Sequence, residues 1–258
     1  MATQSGSAPD LYFDDALELI ESEQSILAAE ADAFRAFLRH VEELSVSAPS
    51  TGGAPHLCSQ SARKDPFRSV REAYQATVMD LAHYDEEYGE SFEESVRMEY
   101  GPDIATLLTT GQVFERHHKQ AVVVATEDLI DQRERLRDAL LEERESIQRF
   151  RDPVESVVDG IASLDSAATT QETPKLLDSY RRRLSVLESR CHDLIDQRQS
   201  EIVDGRRALS LPITEPDIPS YLYTNLPVTY PVVAPLTGAL ESAVTLTATI
   251  ETERSAQS

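Results

Sequence analysis

The chain has 258 residues, 40% of them hydrophobic and 6% aromatic, with no tryptophan; that composition suits a thin core of packed aliphatic helices better than a deep globular one. Its 46 acidic residues outnumber 24 basic ones, for a formal net charge of -22, and Lys64, Lys119 and Lys175 are the only lysines. Such a surface hydrates well where salt shortens self-repulsion to about 3 Å at 1 M, so we expect a salt-adapted cytosol and do not expect a nucleic-acid binder.

The start, Met1 to Asp10, has neither a basic nor an apolar leader segment, so no secretory signal is expected. No apolar run approaches the length of a membrane-spanning helix, which predicts a cytoplasmic protein without membrane contact. Cys58 and Cys191 are too few for a disulfide framework or a zinc site.

After this short start, expected to be disordered, Phe13, Leu17, Ile20, Leu27, Ala31, Phe34, Leu38 and Val41 recur at helical spacing, and residues 1–45 are read as that start plus a first amphipathic helix. Residues 46–64, rich in Ser, Pro and Gly, read as a flexible linker. Residues 65–110 read as a cap of short helices. Asp65-Pro66 opens the first, which should stop near His83. Ser91 with Glu94 forms a capping box for the second, which closes at Gly101, and Pro102 opens a third through Leu108.

Residues 111–211 read as a long helical hairpin. Two heptad ladders interlock here: Thr126, Arg133, Leu140, Ile147, Val154, Ile161, and Leu129, Leu136, Glu143, Phe150, Val157, Leu164. Nine of the twelve positions are apolar, which is the pattern of a helix burying a narrow seam against a partner helix. Pro153 should kink or restart it. A return helix from Pro174 carries Leu177, Leu184, Cys191 and Leu194 and should run antiparallel. Prolines 212, 216 and 219 end the helical region, and residues 212–258 read as an extended docking strip followed by a short C-terminal segment, a short helix. Tyr221, Tyr223, Leu226 and Tyr230 lack a helical period and are candidate partner-binding residues. Val244, Leu246, Ala248 and Ile250 alternate with Thr like a strand, while Leu236, Leu240 and Val244 fit a helix equally well.

The stretch YQATVMDLAHYDEEYGESFEESVRMEY at residues 74–100, followed by GPDIATLL, is the least generic part of the chain. It resembles an uncharacterised family of acidic haloarchaeal proteins, a domain of unknown function. The resemblance extends to the acidic first helix, the Arg- and Glu-rich long helix and the YLYTNLPVTYPVV strip at residues 221–233. It implies a haloarchaeal origin and brings no assigned activity, cofactor or catalytic residue.

Two elements could carry metal chemistry. Asp80 with His83, beside Asp85, Glu86, Glu87 and Glu90, and Glu115 with His118 each place a carboxylate and an imidazole on one helix face, as helical di-iron sites require. An acidic chain with six histidines produces such spacings by chance, and inward glutamates on two further helices are missing. The competing reading makes residues 83–88 a helix-to-loop corner, with Tyr84 and Tyr88 packed and His83 paired to a carbonyl or carboxylate. His117 and His118 lack a pocket for acid–base work, and Cys191 on an apolar stripe reads as packing. Arg181, Arg182 and Arg183 are expected to pair with carboxylates across the hairpin. No phosphate loop or nucleophile elbow is present.

The resulting expectation is an all-α fold: an elongated antiparallel helical bundle or coiled-coil hairpin with a small cap of short helices. Its function reads as that of a non-catalytic interaction or scaffold protein without a cofactor, acting on a protein partner or on itself through helical faces. A carboxylate/histidine metal protein built on Asp80, His83, Glu115 and His118 is the alternative.

Overall fold

Capping signals set where the helices begin. The computed structural model describes residues 11–45, 65–84, 89–111, 113–167, 173–210 and 216–256. Among them the fold is an all-α bundle of seven helices without a strand: α1 Phe13–Glu43, α2 Pro66–Gln75, α3 Phe92–Thr110, α4 Arg116–Ala167, α5 Pro174–Ala208, α6 Ile218–Leu222 and α7 Val233–Ala256. The expected linker, the start of the chain, Cys58, residues 85–88 and Pro212 lie outside the described residues.

The Asp65 carboxylate accepts from the Phe67 amide at the start of α2, with Pro66 in the first turn. Ser91 and Glu94 form the reciprocal capping box of α3. Gly101, at φ 76° and ψ 174°, breaks α3 into two segments, and Pro102 opens the second. Only glycine takes that backbone without strain.

Two compact units result, Glu23–Asp138 and Met1–Ser22 with Ala139–Ser258; α1 and α4 contribute residues to both. In the first unit, α1 and α4 run antiparallel: Glu30 meets Arg133, Arg35 meets Glu134, and Lys119 donates to the carbonyls of Glu42 and Leu44. Its core gathers Phe34, Phe37, Val41, Val70, Tyr74, Val96, Leu108 and Val122. Tyr74 stands edge-on to Phe37 and Phe92, at 5.3 and 5.6 Å between ring centres, so the scarce aromatics are concentrated in contacts. Gly111 lies so close to Phe67 that an added Cβ would come within 2.5 Å of its ring.

Helix α2 stops at Gln75, short of the expected His83. The Thr77 hydroxyl takes the Ala73 carbonyl at 2.8 Å and the Thr77 amide turns to Tyr74. This local hydroxyl competes with the helical ladder, and Val78 reaches the core through turns.

In the second unit, α5 returns antiparallel to α4, with Glu143 against Arg198 and Gly160 against Leu187. Helix α4 continues through Pro153. Phe150, Val154 and Val157 are buried on both sides of the proline, and packing holds the turn although one amide is lost.

The C-terminal region differs most from expectation. The segment taken as an extended strip contains the short helix α6 and turns, and the segment taken as short is the 24-residue α7. Leu236, Ala239, Ala243, Leu246 and Ile250 are its buried stripe at spacings of three and four, and α7 packs on α5. The alternation that suggested a strand came from threonines whose hydroxyls bond back to the preceding turn, as Thr245 does to Glu241 and Thr249 to Thr245. Val233–Ser255 is also long and apolar enough, by length and composition, to cross a membrane. Val233, Leu236, Leu240, Val244, Leu246 and Ile250 supply its hydropathy but are separated by Ala, Thr and other residues, which is why a search for a continuous apolar run misses it.

Candidate functional site

Of the twelve ladder positions on α4, ten are buried; Arg133 and Leu136 are intermediate. The three polar members, Thr126, Arg133 and Glu143, each centre a polar contact inside the packed seam. Thr126 bonds its hydroxyl to Tyr100 at 2.9 Å and donates to the Val122 carbonyl.

Arg133 is held by two glutamates from different helices. Its Nη2 reaches both Glu99 oxygens at 2.7 and 2.8 Å, and its Nε reaches Glu30 at 3.2 Å. The guanidinium also lies 5.0 Å from the Phe34 ring centre. Burial raises the Glu99 carboxyl above its ordinary range, against the pull of Arg133. His83 stands 3.5 Å from the other Glu30 oxygen. A cavity of about 330 Å³ adjoins this group, lined by Glu30, Phe34, Tyr84, Glu90, Glu99 and Arg133 among others.

Glu143 is the more completely enclosed. Arg198 Nη2 spans its two oxygens at 2.6 and 2.8 Å, and the Tyr223 hydroxyl donates to it at 2.8 Å. Arg198 Nη1 donates to Ser146 at 2.6 Å, Ser146 donates to Glu201 at 2.7 Å, and Arg149 reaches Glu201 at 3.0 Å. Arg198 is only 3% exposed and Tyr223 is fully buried. Burial, then the neighbouring Glu143 charge, pushes the Tyr223 phenol well above its ordinary range, so it stays protonated as a donor. A cavity of about 420 Å³ borders Glu143, Ser146, Arg149, Arg198 and Pro219.

The structure does not gather the four expected metal ligands. Asp80 and Glu115 are exposed, His83 faces Glu30, and His118 Nδ1 accepts from the Glu115 amide at 3.2 Å while its ring tilts against His117. Among the described residues no group of three or more His, Cys, Asp or Glu side chains could hold a metal ion. Asp80 and His83 fall in turns beyond the end of α2, and the Glu115 carboxylate meets His117 at 3.2 Å.

The four candidate partner-binding residues also divide. Tyr221 and Tyr230 are exposed and Leu226 is partly covered, but Tyr223 is an internal anchor. Burial, with Glu188 nearby, pushes the Cys191 thiol up to about 11, which fits a packing residue. Arg181, Arg182 and Arg183 are exposed and make no ion pair among the described residues, contrary to the expected pairing across the hairpin. Arg198, further along the same helix, makes the buried pair instead.

Sequence reasoning missed Arg198, Glu99, Glu30 and Ser146. The available signal was the polar residue at a seam position: Arg133 and Glu143 interrupt an apolar ladder and each requires an opposite charge across the interface.

A family model, domain of unknown function DUF7260, matches residues 11–247. The chain belongs to this family. No curated protein and no solved structure matches it. The DUF7260 match runs from the start of α1 into α7 and therefore takes in both polar networks.

Proposed function

We propose that this DUF7260 protein is a non-catalytic interaction protein of a salt-adapted, haloarchaeal cytosol, offering exposed helical faces to a protein partner. The observation that carries the reading is the closure of the Glu143 network. Its carboxylate is saturated by Arg198 and Tyr223, and the Ser146 hydroxyl both accepts from Arg198 and donates to Glu201. Polar groups committed to one another in this way fix register and partner choice, as buried polar seam residues do in helical assemblies. The surface carries charge and the exposed tyrosines 221 and 230.

The partner test substitutes Tyr221→Ser and Tyr230→Ser in the full chain and follows crosslinked partners recovered from cells. Loss of one defined partner from both variants is expected; an unchanged set of partners, or turnover of a substrate by the pure protein, sinks the reading. The environment has its own test. The net charge of -22 and the scarcity of lysine support salt adaptation, so circular dichroism should show loss of helicity in dilute buffer and recovery near molar potassium chloride.

A further inference from the structure

The charge of the chain is unevenly divided between two helices of the same unit. Helix α1 runs from Phe13 to Phe34 without a basic residue and with seven acidic ones. Within the part belonging to this unit, Asp15, Glu18 and Glu21 are exposed and form no ion pair among the described residues. Asp14, beside them, pairs with Arg151. Residues 174–190 of α5 are the opposite case, with five basic residues and two acidic ones. Lys175, Arg181, Arg182, Arg183 and Arg190 are all exposed, again without an ion pair among the described residues. Asp178, one of the two acids, is taken by Arg254.

The exposed cations of α5 centre on one face, with Arg181 and Arg183 on its two flanks. Leu177, Leu184 and Cys191 are buried at seven-residue spacing, and Lys175, Arg182 and Val186 project from the opposite side of the helix. Val186 is 67% exposed, so an apolar contact stands among the cations. Leu11, 37% exposed, gives the start of α1 a comparable apolar contact beside its carboxylates.

We infer that the basic face of α5 docks on the acidic face at the start of α1 in a second copy of this chain. This rests on reading the protein as an interaction module and names the partner as the protein itself. Charge complementarity selects that occupant. Copies with a net charge of -22 repel one another across their acidic surfaces, and the α5 face is where an incoming carboxylate meets attraction. Duplex nucleic acid offers phosphates to the same arginines, but must approach them through the field of the acidic surroundings. In concentrated salt only charges in contact interact, a regime in which the planar guanidinium keeps its paired hydrogen bonds to carboxylate better than lysine would. Because the two docking faces differ, the contact is head-to-tail and leaves one face of each kind open in a dimer, so assembly continues with concentration unless a ring closes.

Sedimentation velocity over a concentration series, at the lowest potassium chloride that preserves full helicity, tests this. Wild type should form concentration-dependent oligomers. Arg181→Glu with Arg182→Glu and Arg183→Glu should weaken association by about tenfold or more, as should Asp15→Arg with Glu18→Arg and Glu21→Arg. At concentrations where wild type associates, neither triple variant alone should do so appreciably, and equimolar mixing should restore oligomers, because each supplies the face the other has inverted. Thermal melts by circular dichroism confirm that both variants stay folded; should one fail to fold, Arg182→Glu alone against Glu18→Arg gives the same test.

A wild type that stays monomeric overturns the inference, as do variants that associate like wild type or a mixture that stays apart. A monomer that binds a fluorescently labelled DNA duplex through these arginines overturns it in favour of nucleic acid. A monomer leaves the broader interaction reading to its own partner test, whereas substrate turnover would remove that reading and leave self-association standing.

Discussion

Glu143 on α4 and Arg198 on α5, fifty-five residues apart, meet inside the seam through one guanidinium nitrogen that bonds both carboxylate oxygens at 2.6 and 2.8 Å. Removing either partner strands the other charge in a buried site. Glu143→Leu or Arg198→Leu alone should cost about 3–5 kcal/mol of unfolding free energy, whereas the double replacement should cost much less than the sum. Urea unfolding of the four proteins of this cycle measures the coupling. Additive losses would show that the pair does not act as a unit.

Tyr223→Phe removes one donor from Glu143 and leaves the ring in place. The expected loss is about 1.5–3 kcal/mol, since the hydrogen bond goes to a charged acceptor. An equal loss in a Glu143→Gln background would mean that the effect does not come from the charged acceptor.

Glu99 predicts a pH dependence of definite sign. Its folded carboxyl titrates above the unfolded value of 4.5, so the folded state holds the proton longer than the unfolded state. Folding stability from this group is therefore largest below about 4.5 and falls as pH rises through the window above it. The difference in unfolding free energy between wild type and Glu99→Gln should turn against wild type as pH rises from 4.5. A difference that moves the other way would mean that Arg133 outweighs burial.

Gly101→Ala tests the kink in α3. Nothing lies within 4 Å of a Cβ added there, so any loss is backbone strain at φ 76°. About 1–3 kcal/mol is expected, without a change in helical content away from the kink.

The Cys191 thiol, buried and pushed up to about 11, should resist iodoacetamide at pH 8. In a Cys58→Ser background labelling should be slow in the native protein and fast in urea. Rapid native labelling would show that the α5 stripe opens readily.

Local chemistry was legible wherever a cap or a strong period sets the backbone. Asp65-Pro66, the Ser91–Glu94 box and Gly101-Pro102 each stand where sequence places them, and the α4 ladder is the buried seam. Residues 233–256 were legible only as a short helix weighed against a strand, because alternating threonines imitate a strand until their hydroxyls are seen bonding to the preceding turn. The placement of His83 beside Glu30 and of His118 beside His117 was not legible for a related reason. Spacing along one helix says which residues share its face, and says nothing about which face of another helix lies opposite.

The sequence by itself determined an all-α chain, the position of its long seam, and a surface dominated by carboxylates, because periodicity, capping and charge are properties of neighbouring residues. Only the tertiary structure decided that Arg133 lies between Glu30 and Glu99, that Glu143 takes Arg198 and Tyr223, and that Arg181, Arg182 and Arg183 are left exposed. Those partners are tens of residues apart along the chain. What selects them is the cost of burying an unpaired charge, and that cost is defined only once the helices have come together.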